Sequence, residues 1–219
     1  MIKNILAVGD SFTYGQELKT SRDAYPQLIA DRIGATLINQ AAPGSGNKRM
    51  VRKIIDHITL KNPVDLVIIG WTSPGRMEFC DAAGIFDIWP GYSGRLFAQD
   101  QPWRMELLEY INKHHDPEYI YRMYLLDIIM LQNFLCKHNI KYIMLTTCSN
   151  EYYHNIYYSK SELLTDLIDS KYYVGWPTEG MAEWTRGCKR GPEGHFLAEG
   201  HKRVADKLYE YIRDFGWLS

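Results

Sequence analysis

The sequence predicts an α/β sandwich built on a mainly parallel sheet, and three observations carry that expectation. Short apolar runs of β type recur along the chain, helical patterns lie between them, and no internal repeat, low-complexity tract or linker divides the alternation. Each apolar run reads as a strand covered on both faces.

Ile2 to Val8 is the first such run, and it ends at Gly9-Asp10. Ser21 or Asp23 can cap a helix reaching about Ile33, with Pro26 tolerated in its first turn and Gly34 closing it. Ala35 to Asn39 reads as the second strand. Met50, Val51, Ile54, Ile55 and Ile58 then share one face of a helix that stops before Asn62-Pro63. Asp65 to Gly70 is the third strand. Asp116 caps and Pro117 opens a helix to about His138, and Lys141 to Thr146 is the fourth strand. The last helix places Leu197, His201, Val204, Ala205, Leu208, Ile212 and Phe215 at helical spacing, with Gly216 as its stop. His201 falls on the apolar face and reads as a core residue. One domain over residues 1–219 is expected.

Two stretches interrupt the alternation, residues 74–115 and 149–190. Both are rich in Gly, Pro, Tyr and Trp and both follow the carboxyl ends of predicted strands, the edge where open parallel sheets bind ligands. They are expected to wall a substrate pocket, and Trp71, Trp89, Tyr92, Trp103, Trp176 and Trp184 in or beside them could stack on sugar rings or hold an acyl chain.

The bulk numbers exclude several classes. A 219-residue chain with 46% hydrophobic and 23% charged residues has the composition of an ordinary globular protein, and a formal charge of -1 lacks the footprint of nucleic-acid binding. The apolar run at the N-terminus is too short for a secretory signal core, and no run approaches the length of a membrane span, so a cytoplasmic protein is expected. Cys80, Cys136, Cys148 and Cys188 are scattered without a C-x-x-C pair, which points to a reducing compartment. The histidines show no ligand spacing, so no metal is expected. Gly44-Ser45-Gly46 is followed by Arg49 where a dinucleotide fingerprint has glycine, so no cofactor is expected either. Gly91-Tyr92-Ser93-Gly94 lacks the spacing of a nucleophile elbow.

Chemistry concentrates at Gly9-Asp10-Ser11, where the first strand hands over to a loop. Alone, the tripeptide reads equally well as a turn. In chain order it is followed by Gly44 within Asn39 to Asn47, by Gly70-Trp71-Thr72-Ser73 after the third strand, and by His195 with Ala198-Glu199-Gly200. These segments resemble the four blocks of the SGNH hydrolases, also called GDSL esterases. The resemblance implies a flavodoxin-like three-layer α/β/α sandwich and a Ser11 nucleophile with His195 as its base and a supporting acid. It also implies an oxyanion hole made by the Ser11 amide, the Gly44 amide and a third-block side chain. The chemistry is consistent: imidazole titrates near neutrality and can take the hydroxyl proton, while a glycine lets backbone approach the tetrahedral intermediate.

Two positions depart from the family pattern. Thr72 stands where asparagine is usual, so either Thr72 donates to the oxyanion, or Asn47 moves in, or the hole has backbone donors alone. Pro192 stands where the supporting aspartate is usual, which leaves Glu193 or a backbone carbonyl to orient His195. Asp10, Asn47, Trp71 and Arg76 are expected beside the substrate. Arg186, Lys189 and Arg190 are either solvated surface or, with Arg76, the contact for an anionic group. The expected function is cleavage of a carboxylic ester, an acylated carbohydrate or a small acyl ester, through an acyl-Ser11 intermediate. Its alternatives are an acyltransferase and a non-catalytic binding protein on the same fold. The compact Gly70-Trp71-Thr72-Ser73-Pro74 block looks more like phage-encoded relatives than like secreted lipases.

Overall fold

A computed structural model describes residues 1–82, 84–89, 102–148 and 161–218. Strand β1 (Asn4–Gly9) passes through Asp10 into the single-turn helix α1 (Ser11–Tyr14), followed by α2 (Tyr25–Ile33), β2 (Thr36–Asn39), α3 (Asn47–Thr59) and β3 (Leu66–Trp71). A hairpin of β4 (Met77–Asp81) and β5 (Gly84–Ile88) leads on to α4 (Pro102–His114), α5 (Pro117–Lys137) and β6 (Lys141–Thr146). Two short turns, α6 (Glu162–Thr165) and α7 (Met181–Trp184), come before the last helix, α8 (Ala198–Asp214).

The main sheet has the order β2-β1-β3-β6 and every pair in it is parallel. Its register sets Leu6 opposite Val67 and Ile68 opposite Ile143. Successive residues of a strand face opposite sides, and here both sides are apolar. Ile5, Ala7, Leu66, Ile68, Ile143 and Leu145 pack with Ile29 of α2 and Val204, Leu208 and Ile212 of α8. Leu6, Val8, Val67, Ile69, Trp71 and Met144 pack with Ile54 of α3 and Leu125, Ile128 and Leu131 of α5. The result is the expected α/β/α sandwich with a parallel sheet. Beyond β6, the Val174 N–H donates to the Met144 carbonyl at 2.8 Å, a single parallel rung on the sheet's edge.

Two details differ from expectation. The helix expected from Ser21 or Asp23 is divided: Thr20 caps a 3-10 turn over Ser21–Asp23, and α2 begins at Tyr25 with Ala24 as an N-cap that makes no side-chain bond. Pro26 forces this, since its ring is accommodated only in the first turn. The stretch 74–115, expected as loop, holds the β4–β5 hairpin and α4, which Arg104 to Asp81 at 2.7 Å joins to each other, while Arg52 to Glu78 at 2.6 Å and Arg49 to Asp87 at 2.9 Å tie the hairpin back to α3. Three basic residues at the start of α3 are thus paired, Arg49 and Arg52 with the hairpin and Lys48 with Asp127 at 2.8 Å. Gly91 to Gly94 with Tyr92, and residues 149–160 of the second stretch, lie outside the described residues.

Candidate active site

The site is built where β1 and β3 end side by side, with Gly9 opposite Gly70. Both positions need glycine because α1 packs directly on the strand ends: a Cβ on either would run into the Thr13 side chain. Asp10 then ties three strands together. It sits in extended conformation as N-cap of α1, and its Oδ1 accepts the Phe12 N–H at 3.0 Å. Its Oδ2 accepts the hydroxyls of Thr72, after β3, and Thr147, after β6, each at 2.8 Å. Asp10 is fully buried, so it is a structural hub beneath the site rather than the substrate contact expected of it.

Ser11 is the first residue of α1 and nearly buried, at 5% exposure, and its hydroxyl has no hydrogen-bond partner among the described residues. A first helical residue has no acceptor for its N–H within the helix. Gly44 adopts φ +76°, a conformation other residues rarely take, and its N–H has no acceptor among the described residues. These are the two backbone donors expected of an oxyanion hole. The expected side-chain donors are committed elsewhere. The Thr72 hydroxyl proton goes to Asp10. The Asn47 amide donates to the carbonyls of Thr72 and Ser73, both at 3.2 Å, while its oxygen accepts the Thr72 N–H at 3.0 Å. Asn47 thus clamps the end of β3, and Thr72, shorter than asparagine, turns inward to the nearest buried carboxylate.

His195 is carried to α1 by the turn before α8. Its ring lies 5.0 Å from the Phe12 ring, and Phe12 rests on Phe196 at 4.9 Å. The carboxylate on this histidine is Glu17, with Nδ1 to Oε2 at 2.9 Å. Glu17 also accepts the N–H of His195 at 3.0 Å and the N–H of Glu193 at 2.9 Å. The backbone is shaped for this contact. Gly15, at φ +86°, turns the chain back after α1, Glu17 itself lies at φ +67°, and a Cβ on Gly191 would overlap the Glu17 carboxylate. Desolvation raises the Glu17 pKa, but the two N–H groups, the imidazole and its charge outweigh it and hold the carboxyl below its ordinary value. A carboxylate at Nδ1 keeps the proton on that nitrogen and leaves the Nε2 lone pair to act as base.

Glu193, the acid expected from sequence, is exposed and accepts a bond from the Gln16 amide instead. The turn is closed by Gly194 N–H to Gly191 O at 3.0 Å and Gly191 N–H to His195 O at 2.9 Å, and within it Nδ1 is taken by Glu17 rather than Glu193. Glu17, Glu193 and His195 nonetheless offer ligand atoms within 4.8 Å of one another, the grouping among the described residues that could accept a cation, at the expense of the Glu17 to His195 bond.

Arg76 lies beside Asp10, 7% exposed, with Nη1 3.6 Å from Asp10 Oδ2 and its guanidinium 4.1 Å from the centre of the Trp89 ring. Among the described residues its Nε and Nη1 have no hydrogen-bond partner. Trp71, expected at the pocket wall, is in the core against Tyr124, because it falls on the β3 face that α5 covers. Of the later basic residues, Arg190 packs over Phe196 and donates to the Gly194 carbonyl at 2.8 Å, bracing the His195 turn, while Arg186 and Lys189 are exposed. Trp176 packs on Tyr173, Trp103 on Phe86, and Trp184 donates to Glu179. His201 is buried and its Nδ1 accepts the Tyr25 N–H at 3.2 Å.

A family model described as a family of unknown function, DUF6071, matches residues 11–219. A comparison with curated protein sequences gives no match. Solved structures share the fold at low identity. A member of the lipolytic protein G-D-S-L family from Veillonella parvula is 13% identical, with TM-score 0.52 over 95% of this chain and 97% of that one. The psychrotrophic esterase EstA from Pseudoalteromonas sp. is 12% identical, with TM-score 0.57 over 97% and 98%. A carbohydrate esterase family 2 enzyme from Corynascus thermopiles is 16% identical, with TM-score 0.61 over 98% of this chain and 67% of that one. No helix among the described residues is long and apolar enough to cross a membrane.

Proposed function

We propose that this chain, which belongs to the DUF6071 family of unknown function, is a serine hydrolase that cleaves carboxylic esters through an acyl-Ser11 intermediate. The observation that carries the reading is the Glu17 to His195 pair, 2.9 Å apart, delivered to the short helix that begins with Ser11. A solvated histidine has no use for a carboxylate that also takes two backbone N–H groups. A histidine that must keep one tautomer has.

In this reading Ser11 Oγ attacks the ester carbonyl carbon as its proton passes to His195 Nε2, and the carbonyl electron pair moves onto oxygen. The Ser11 and Gly44 N–H groups receive that oxyanion. Collapse expels the alcohol, which takes the proton from His195, and water then repeats the sequence on the acyl-enzyme. The substrate is a small acyl ester or an acylated carbohydrate. Support for the sugar comes from the fold shared with a carbohydrate esterase, and for ester chemistry generally from the esterases with the same fold.

A fluorophosphonate probe tests the reading directly. Wild type should be labelled at one residue, Ser11, Ser11→Ala should not be labelled, and His195→Ala should label at least about a hundredfold more slowly. Equal labelling of Ser11→Ala, or none of the wild type, would refute the assignment.

A further inference from the structure

In the proposed reaction the oxyanion receives two backbone N–H groups, and neither the Thr72 hydroxyl nor the Asn47 amide is free to join them, being spent on Asp10 and on the Thr72 and Ser73 carbonyls. We infer that the Arg76 guanidinium is the third donor, supplying a charged N–H beside the position a side-chain amide on residue 72 would occupy. The inference rests on the acyl-Ser11 reading.

Arg76 and Thr72 meet at the same atom. Thr72 Oγ1 is 2.8 Å and Arg76 Nη1 is 3.6 Å from Asp10 Oδ2, and Asp10 immediately precedes Ser11. The longer of these distances is beyond hydrogen bonding, so Asp10 balances the guanidinium charge without taking its proton. Two hydroxyls already hold the Asp10 oxygen and keep it from closing on Arg76. The Trp89 ring at 4.1 Å supports the guanidinium plane.

A buried cation with two nitrogens, Nε and Nη1, that find no hydrogen-bond acceptor among the described residues is costly in a resting protein, and such groups call for a reason. Donors held in place before any charge appears, then satisfied in the transition state, supply one. When Ser11 Oγ bonds to the carbonyl carbon, the C=O π pair becomes a third lone pair on oxygen, which accepts from the Ser11, Gly44 and Arg76 N–H groups. The pair returns when the carbon to alkoxide bond breaks, and His195 gives its proton to the leaving alcohol. Because the guanidinium acts on the reacting oxygen, its effect does not depend on charge elsewhere in the substrate.

The test uses the full chain with p-nitrophenyl acetate, which is neutral, and the same fluorophosphonate probe. Arg76→Met should lower kcat by about a hundredfold or more with KM nearly unchanged, and slow Ser11 labelling in parallel. Arg76→Lys keeps the charge beside Asp10 without the planar fork and should fall between the two. Added guanidinium ion should restore part of the activity of Arg76→Ala. The inference is overturned if folded Arg76→Met keeps wild-type kcat, if only KM changes, or if the loss is confined to the negatively charged p-nitrophenyl succinate. Should Arg76→Met fail to fold, an Arg76→Lys enzyme with wild-type kcat overturns it equally. If wild-type Ser11 is not labelled at all, the acyl-enzyme reading falls and this inference with it. Labelled Ser11 with Arg76-independent rates removes the inference alone.

Discussion

Glu17→Gln is the sharpest probe of how the histidine is held. Oε1 of Glu17 accepts the Glu193 N–H at 2.9 Å, while Oε2 accepts both the His195 N–H at 3.0 Å and Nδ1–H at 2.9 Å, so glutamine can keep an oxygen on only one of these two sides. With that oxygen on the Glu193 N–H, its NH2 faces Nδ1 and the His195 N–H. Nδ1 must then accept, the ring proton moves to Nε2, and the base toward Ser11 is lost. That tautomer inversion lowers kcat by on the order of ten-thousandfold when a buried triad carboxylate becomes an amide, and about a thousandfold is expected here because Glu17 is partly accessible. Initial rates on p-nitrophenyl acetate, with thermal unfolding as the control for folding, measure it. Glu193→Gln serves as the internal comparison and should change kcat less than about fivefold, since a surface carboxylate contributes little. If Glu193→Gln is the more damaging change, the assignment of Glu17 is wrong. The acid side of the profile follows from the same clamp. The folded carboxyl lies below its ordinary 4.5, so the clamp's contribution is complete above that value and is lost as pH falls through the lower folded pKa.

The remaining predictions concern the support beneath the site. Thr72→Val leaves one lone pair of buried Asp10 without its hydroxyl and should cost about 1–3 kcal/mol in urea unfolding, while an unchanged midpoint would break the link between Thr72 and Asp10. Burial, and secondarily the charge of His195, push the His201 pKa down from 6.5 to about 4, which favours the neutral ring in the folded chain. The unfolded chain then binds the extra proton first, so stability should decline as pH falls from about 6.5 to about 4 and level off below, by roughly 3 kcal/mol in all. His201→Asn, whose side-chain oxygen can accept the Tyr25 N–H in place of Nδ1, should flatten that decline, and an unaltered slope would assign it to other groups.

The sheet was readable because β1, β3 and β6 are apolar on both faces, and the runs ending at Gly9 and Gly70 are the two central strands, whereas β2 is a half-exposed edge strand. The place of Ser11 at the end of β1 was readable for the same reason. Trp71 was misread because its position next to Thr72 suggested the pocket, whereas strand alternation sends it into the α5 layer. Thr72 and Asn47 could be read as candidates but not as spent donors, since their partners lie 62 and 25 residues away. Glu17 was missed altogether. It meets His195 across 178 residues of sequence, and the only local hint is Gly15, which permits the turn that brings it back. Attention to the residues just before the histidine, where a supporting acid is usual, found Glu193 instead.

Placing the acid at Glu17 makes one carboxylate do two jobs on the turn before α8: it fixes the imidazole and it pins the peptide N–H groups at Glu193 and His195. Ring orientation and backbone attachment cannot fail separately. A molecule whose turn has lifted away from Glu17 has no half-aligned base, and one with the turn seated has a fully aligned one. The exchange rates of those two amide protons with solvent therefore count the competent fraction of the population, in the absence of any substrate.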